Sequence, residues 1–324
     1  MQQWRGHYFI GRKSKPPPRH LWSLPMSNAS PSLLVTGASG HLGRRVVELL
    51  LEFHRGPLIV TTREPAKLAD LAARGVIVRK ADFDDTASLD AAFAGAQRLL
   101  LISTDSLDVP GRRITQHQNA VDAARRAGVR HIVYTSLTRP EPDSPVTIAK
   151  DHWATEQALE KSGLGFTVLR NNFYADLLLL SLPRAVATGQ LVAATGTGST
   201  AYVTREDCAR IAAAALLAPF DGKRTLEVTG PSAVSHEELA RMVSELSGRP
   251  VRYVAVDAAS LRAGMVEHGL PAPIAEVIAS FDVAVAEGRM AKTSTAFSDL
   301  TGGAPSSVAS FLARHREALQ AATR

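Results

Sequence analysis

Short apolar runs alternate with helical patterns through the first half of the chain. Leu33-Leu34-Val35, Leu58-Ile59-Val60-Thr61-Thr62 and Val76-Ile77-Val78 read as strands, followed by Arg98-Leu99-Leu100-Leu101-Ile102-Ser103, His131-Ile132-Val133-Tyr134-Thr135-Ser136 and Phe166-Thr167-Val168-Leu169-Arg170. Between them lie helical stretches. The first has Leu42, Val46, Val47, Leu49 and Leu50 on its apolar face. The others start at Pro65 and run over 85–93, 114–127 and 149–161, the last two stopped by Gly128 and Gly163. Strands alternating with helices at this spacing predict a mostly parallel sheet with right-handed crossovers.

From Asn171 the rhythm loosens. Residues 189–203 read as short strands and turns, 205–217 as an alanine-rich helix, and 225–228 as a strand. A helix over 235–247 opens on a capping-box pattern, Ser235-His236-Glu237-Glu238. A strand over 251–256, proline-bearing helices to about Glu287 and a final helix over 306–321 complete the chain. There is no internal repeat. The expectation is an α/β fold, a Rossmann-type doubly wound parallel sheet with a smaller C-terminal α/β substrate lobe. The nucleotide-binding domain takes 31–170. Residues 171–324 form mainly the lobe, with some segments returning to the sheet. The lobe is expected over the carboxyl ends of the strands, where open α/β sheets bind ligands.

Charge changes this picture at one end only. The formal net charge is +6 over 324 residues, but Arg5, Arg12, Lys13, Lys15 and Arg19 fall in the first 25 residues, where there is no acid. Without those five, 32 basic residues face 31 acidic ones, so the basic character belongs to a leader and nucleic acid is discounted as a partner. The leader, 1–30, contains Pro16-Pro17-Pro18 and lacks the apolar core of a secretory signal. It is expected to be disordered and outside the fold, with translation starting at Met26. No apolar run approaches the roughly 20 residues of a membrane helix. The single cysteine, Cys208, excludes an internal disulfide and fits a reducing, cytoplasmic setting. It reads as a small buried residue.

The chemistry gathers at Val35-Thr36-Gly37-Ala38-Ser39-Gly40-His41-Leu42-Gly43, three glycines at G-x-x-G-x-x-G spacing between a strand and a helix. Gly37 allows a sharp turn, Gly40 a close approach of backbone to a pyrophosphate, and Gly43 close helix–strand packing. The phosphates then meet the free N–H groups at the helix start. The residue closing the second strand chooses between cofactors. Here it is Arg63, a planar charged fork suited to a 2′-phosphate, so NADP(H) is expected over NAD(H). The alternative is a solvated arginine beside Glu64. Asp82 and Phe83 follow the third strand, where adenine would lie, with Phe83 as plain core the alternative. Leu101, Ser103 and Thr104 end the fourth strand, beside the path of the nicotinamide ribose; the two hydroxyls are ribose contacts or simply polar strand-end residues. No cluster points to a metal.

These residues, with Tyr134-Thr135-Ser136-Leu137 and Leu169-Arg170-Asn171-Asn172-Phe173-Tyr174, resemble the NmrA-like atypical short-chain dehydrogenases. The resemblance is to the bacterial NADPH:quinone oxidoreductase branch, which includes triphenylmethane-dye reductases, and runs from about Ser32 to the C-terminus. It implies that Gly37, Ala38, Ser39, Gly40, His41, Leu42, Arg63, Leu101–Thr104, Asn172, Phe173 and Tyr174 hold NADPH. Ordinary members of the wider superfamily use a tyrosine four residues before a lysine. No lysine here has one. Carbonyl–alcohol chemistry by that route is therefore not expected. A quinone takes hydride without a strong acid, so positioning carries the reaction. Asn171, Tyr174, Ser136 and His152 are the candidates around the acceptor; His152 could donate a proton or line the pocket, but reads first as a satisfied structural histidine. A non-catalytic NADP(H)-sensing regulator of the NmrA type is the alternative, and a homodimer the default assembly.

Overall fold

The computed structural model describes residues 30–321; the basic leader, apart from residue 30, and the Met26 start lie outside the described residues. The chain opens with β1 (Leu33–Val35), α1 (His41–Phe53) and β2 (Leu58–Thr62), then a 3₁₀ turn (Pro65–Leu68), α2 (Ala69–Ala72) and β3 (Ile77–Lys80). It continues through α3 (Thr86–Phe93), β4 (Arg98–Leu101), α4 (Arg112–Arg126), β5 (His131–Leu137), α5 (Ala149–Ser162) and β6 (Gly165–Asn171). The second half holds α6 (Leu178–Thr188), β7 (Gln190–Ala193), β8 (Ser199–Thr200), α7 (Arg205–Leu217), β9 (Lys223–Val228) and β10 (Val234–Ser235). Last come α8 (His236–Ser247), β11 (Arg252–Ala255), α9 (Ala258–Glu267), α10 (Ala272–Ala286), α11 (Ala296–Thr301), α12 (Val308–Arg314) and α13 (Arg316–Ala321).

Seven parallel strands form one sheet in the order β3-β2-β1-β4-β5-β6-β9. The order reverses between β1 and β4, which is the switch point where such sheets place a ligand. The apolar runs are continuous because both faces are covered. Leu33, Val35, Leu100 and Val133 join a core shared with α1 and α7. Their neighbours Leu34, Leu99, Leu101, Ile132 and Tyr134 point into a second core shared with α3 and α4. β9 returns from the second half of the chain to the sheet edge. The C-terminal elements bury a third cluster around Leu182, Leu239, Val243 and Leu312.

At the far end of the sheet, the Arg98 guanidinium is almost fully buried. It donates to the carbonyls of Leu216 and Phe220 at 2.8 and 3.1 Å and to Asp221 Oδ1 at 2.7 Å. A permanent cation thus closes the C-terminus of α7, where the helix carbonyls lack partners.

Three features differ from the sequence reading, the first being the short helix α11, which it left out. α6 was hidden by Pro183, which sits inside it. Leu178, Leu179, Leu182, Ala185 and Val186 form a buried stripe that holds the helix despite the missing N–H. The final helix is two: α12 stops at His315, whose ring Nδ1 lies 2.9 Å from the Phe311 carbonyl, and α13 restarts beyond it. Cys208 is buried and its thiol is pushed well up by that burial.

Candidate functional site

The glycine turn follows β1 directly. Gly37 adopts φ +61°, a conformation that favours glycine, and the Ala38 amide donates to the Thr61 carbonyl at 3.2 Å. A Cβ at Gly43 would fall well inside contact with the Gly37 carbonyl, so only glycine lets α1 seat against the turn. At the head of α1, Gly40 supplies no side-chain cap and the first turn carries no acid. The first N–H groups of the helix and its positive end thus face outward beside exposed Ser39, Gly40 and His41, while Ala38 is buried and Leu42 packs against the core. Arg44 and Arg45, one turn on, are tied to Glu48, Asp70 and Glu206.

At the end of β2, the Thr62 hydroxyl lies 3.1 Å from Ser39 Oγ and accepts the Glu64 amide at 3.2 Å, tying this strand to the glycine turn. Arg63 is exposed and forms no hydrogen bond or ion pair among the described residues, whereas Glu64 pairs with Lys67. The Asp82 carboxylate accepts the Asp84 amide at 3.1 Å, and half-buried Phe83 packs on the second core while its carbonyl accepts from Asn119.

Beyond Leu101, the chain leaves β4 held by side chains. Three consecutive amides donate to them: Ile102 to Thr36 Oγ1 at 2.9 Å, Ser103 to Thr135 Oγ1 at 3.0 Å, and Thr104 to His117 Nε2 at 3.0 Å. None of the three acceptors was assigned this role from the sequence, where Thr36 and Thr135 lie within quoted motifs and His117 does not. The available signal was a pair of polar residues, Gln116 and His117, on the apolar stripe of α4 that also carries Ala120 and Ala124.

His152 lies beside this network and is buried. Its Nε2 accepts from Arg113 Nη2 at 3.1 Å and its Nδ1 faces the Tyr134 hydroxyl at 2.9 Å. Burial, then the charges of Arg113 and His117, push its pKa well below the usual histidine value. Both ring nitrogens are engaged, the arrangement of a satisfied structural histidine. Ser136 is also buried, and its hydroxyl donates to Glu156 Oε1 at 2.6 Å. Glu156 is held by Arg170 at 2.7 Å, and Arg170 also reaches Glu141 at 2.8 Å and Glu227 at 3.5 Å. Burial opposes the Arg170 charge, but the hydrogen bond and charge of Glu156, with Glu141 and Glu227, outweigh it and raise the pKa. Burial raises that of Glu227.

The segment leaving β6 brings the remaining candidates together. Asn171 is buried, with Nδ2 donating to the Tyr174 hydroxyl at 3.2 Å and Oδ1 left without a partner. Asn172 is committed structurally: its Nδ2 donates to the Met290 carbonyl and its Oδ1 accepts the Phe173 amide. Phe173 packs edge-on against Phe281 and Tyr202. Half-buried Tyr174 lies under the Arg205 guanidinium, 5.5 Å from the ring centroid, and burial raises its phenol pKa far above the usual range. Among the described residues, no group of three or more His, Cys, Asp or Glu side chains is placed to hold a metal, and no helix is long and apolar enough to cross a membrane.

A glycine turn at the switch point, an uncapped helix N-terminus and an exposed arginine closing β2 define a Rossmann-type dinucleotide-binding protein. The NmrA-like family model matches residues 30–300, and the chain belongs to that family. It is 36% identical to quinone oxidoreductase 2 of Escherichia coli over 271 residues, covering 83% of this chain and 93% of that protein. It is also 29% identical to an NAD(P)H azoreductase of Xenophilus azovorans, covering 90% of this chain and all of that one. Among solved structures, the NADPH complex of the Escherichia coli NADPH-dependent quinone oxidoreductase superposes with a TM-score of 0.82 at 35% identity, over 87% of this chain and 99% of that chain. The NADP(H) complex of Citrobacter triphenylmethane reductase superposes with a TM-score of 0.81 at 34% identity, over 88% of this chain and all of that one.

Proposed function

We propose that the chain is an NADPH-dependent oxidoreductase that passes hydride directly to a quinone or a similar electron-poor acceptor. The observation that carries this reading is the uncapped N-terminus of α1 at the β1/β4 switch point, with Arg63 exposed at the end of β2. Both features fit a phosphorylated dinucleotide: backbone N–H groups for the pyrophosphate, a guanidinium for the 2′-phosphate. The relatives of similar length bear names that say quinone, azo-compound and triphenylmethane reduction, which supports the acceptor class. The bound coenzyme would supply the hydride.

The chain's residues do the rest. Gly37, Ala38, Ser39, Gly40, His41 and Leu42 cradle the pyrophosphate, and Asp82 and Phe83 flank the adenine. Leu101, Ser103 and Thr104 border the nicotinamide ribose. Asn172 and Phe173 hold the segment that carries Tyr174 to the reduced ring, with Asn171 beneath it. Of the four candidates at the acceptor, Tyr174 alone has a hydroxyl that accepts a bond and keeps its own proton to donate. Ser136 gives its proton to Glu156, and both nitrogens of His152 are engaged, so these two support the wall rather than the reaction. Hydride transfer leaves the reduced acceptor a monoanion that needs one proton; with no tyrosine–lysine pair four residues apart, water supplies it, and the Tyr174 hydroxyl gives a hydrogen bond and keeps its proton. The near-neutral body fits a small-molecule partner and no nucleic acid, the single cysteine fits a cytoplasmic setting, and a homodimer is the default assembly.

The test is loss of NADPH absorbance with a panel of quinones. Turnover that saturates in both substrates is expected. Tight NADPH binding without oxidation by any acceptor would overturn the enzyme reading in favour of the sensing alternative.

A further inference from the structure

We infer that His117 is a positioning residue for this reaction: its imidazole holds the backbone at Thr104, and with it the end of β4 that borders the nicotinamide ribose, against α4 and α5. The inference rests on the coenzyme reading above.

The neighbours of His117 fix where its proton sits. The Thr155 hydroxyl donates to the Asp151 carbonyl at 2.7 Å, so its oxygen is left to accept. His117 Nδ1 lies 2.8 Å from that oxygen and must carry the proton. Nε2 is then bare and accepts the Thr104 amide at 3.0 Å. One tautomer satisfies every group, and it is neutral. His117 is 0% exposed, so water offers no substitute for any of these bonds. Burial first, and the Arg113 charge second, push its pKa down to about 3. A proton on Nε2 would face the Thr104 N–H, so the charged form breaks the tether.

The tether matters because of where it pulls. The amides of Ile102 and Ser103 are received by Thr36 and Thr135, at the end of β1 and on β5, so two pegs belong to the sheet itself. The third reaches out of the sheet to α4 and, through Thr155, to α5. Past Thr104, no strand bond holds the chain until α4 begins at Arg112. His117 therefore sets where the strand end stops and the loop starts. A loosened Thr104 lets the ribose, and the ring it carries, drift from the acceptor; geometry of this kind governs hydride transfer.

Two variants separate positioning from plain structural support. His117→Gln carries an amide oxygen to the Nε2 position and keeps the acceptor for Thr104. His117→Asn reaches only the Nδ1 position and loses it. kcat/KM for NADPH with a quinone acceptor should fall about tenfold in the Asn variant and return most of the way in the Gln variant. A folded Asn variant with unchanged kcat/KM, or equal losses in both variants, overturns the inference while leaving the coenzyme reading intact. A wild-type chain that binds no NADPH overturns both. Hydrogen exchange at the Thr104 amide needs no variant: slow exchange is expected in the wild-type protein, and exchange as fast as in an open loop overturns the tether.

Discussion

The Asn171 side-chain amide donates to the Tyr174 hydroxyl at 3.2 Å, three residues on and already outside the sheet. This bond fixes the phenol where β6 ends and leaves its proton free of that contact. Burial keeps the proton on the oxygen far above neutral pH. Tyr174→Phe removes the donor and strands a second polar atom of Asn171, whose Oδ1 is unpartnered to begin with. We expect kcat for quinone reduction to fall about tenfold, with stability lower by about 1–2 kcal/mol. The wild-type pH–rate profile should show no limb from this phenol between about pH 6 and 9. Steady-state kinetics over that range check both points; an unchanged kcat in the Phe variant removes Tyr174 from the reaction.

Arg63 is exposed at the end of β2, with no hydrogen bond or ion pair among the described residues, and its charge is felt by the Asp84 carboxylate, so its replacement breaks no short contact. Arg63→Asp places a carboxylate where the 2′-phosphate would sit. Loss of one charge-assisted contact, about 1.5–3 kcal/mol, predicts a rise in the NADPH dissociation constant of roughly tenfold to a hundredfold. NADH binding should hold or improve, since a carboxylate accepts from a ribose hydroxyl. Calorimetry with both coenzymes decides it; an unchanged ratio means that the phosphate is held elsewhere.

The strands were legible because a sheet covered on both faces writes itself as unbroken apolar runs, as in Leu33-Leu34-Val35. The glycine turn was legible because the backbone at Gly37 favours glycine and the space at Gly43 admits nothing else. The pegs beyond β4 were not. Thr36, Thr135 and His117 are far apart in sequence, and each is an ordinary polar residue until the sheet brings it to residues 102–104. α6 escaped for the opposite reason: its local signal, a helix carrying Pro183, is unfavourable, and burial of Leu178, Leu182 and Val186 against the C-terminal cluster overrides it. His152 already read first as a structural histidine from the sequence, but the partners that engage both its ring nitrogens, Arg113 and Tyr134, could not be named there.

His117 and His131 are both fully buried, with pKa values pushed down to about 3 by burial first, then by the charges of Arg113 and Arg98 respectively. In the unfolded chain each takes a proton near pH 6.5; in the folded chain each stays neutral until about pH 3. The unfolded state therefore binds more protons across that window. Stability is complete above pH 6.5 and is lost as the pH falls, by about 1.4 kcal/mol per pH unit for each histidine. Denaturant unfolding at pH 7.5 and pH 5.5 should show the loss. His117→Gln removes one titrating group, so its stability should fall less steeply than that of the wild type. Parallel slopes would mean that His117 is charged in the folded protein.

Gly43 is the place where the helix and the turn meet. A methyl group there meets the Gly37 carbonyl and the Ala38 Cα, both of them backbone, so no side-chain rotation relieves it. Gly43→Ala must push the head of α1 away from the turn or flatten the turn at Gly37. Either movement shifts the N–H groups aimed at the pyrophosphate. It does little to the C-terminal core around Leu182 and Leu312, which lies elsewhere. The variant should bind NADPH and NADH more weakly by a similar factor, at least about tenfold, because the pyrophosphate is common to both. That common loss distinguishes it from Arg63→Asp, which should change the ratio between the coenzymes. Titration of both variants with both coenzymes makes the comparison, and a Gly43→Ala chain that binds like the wild type would show that α1 does not carry the phosphates.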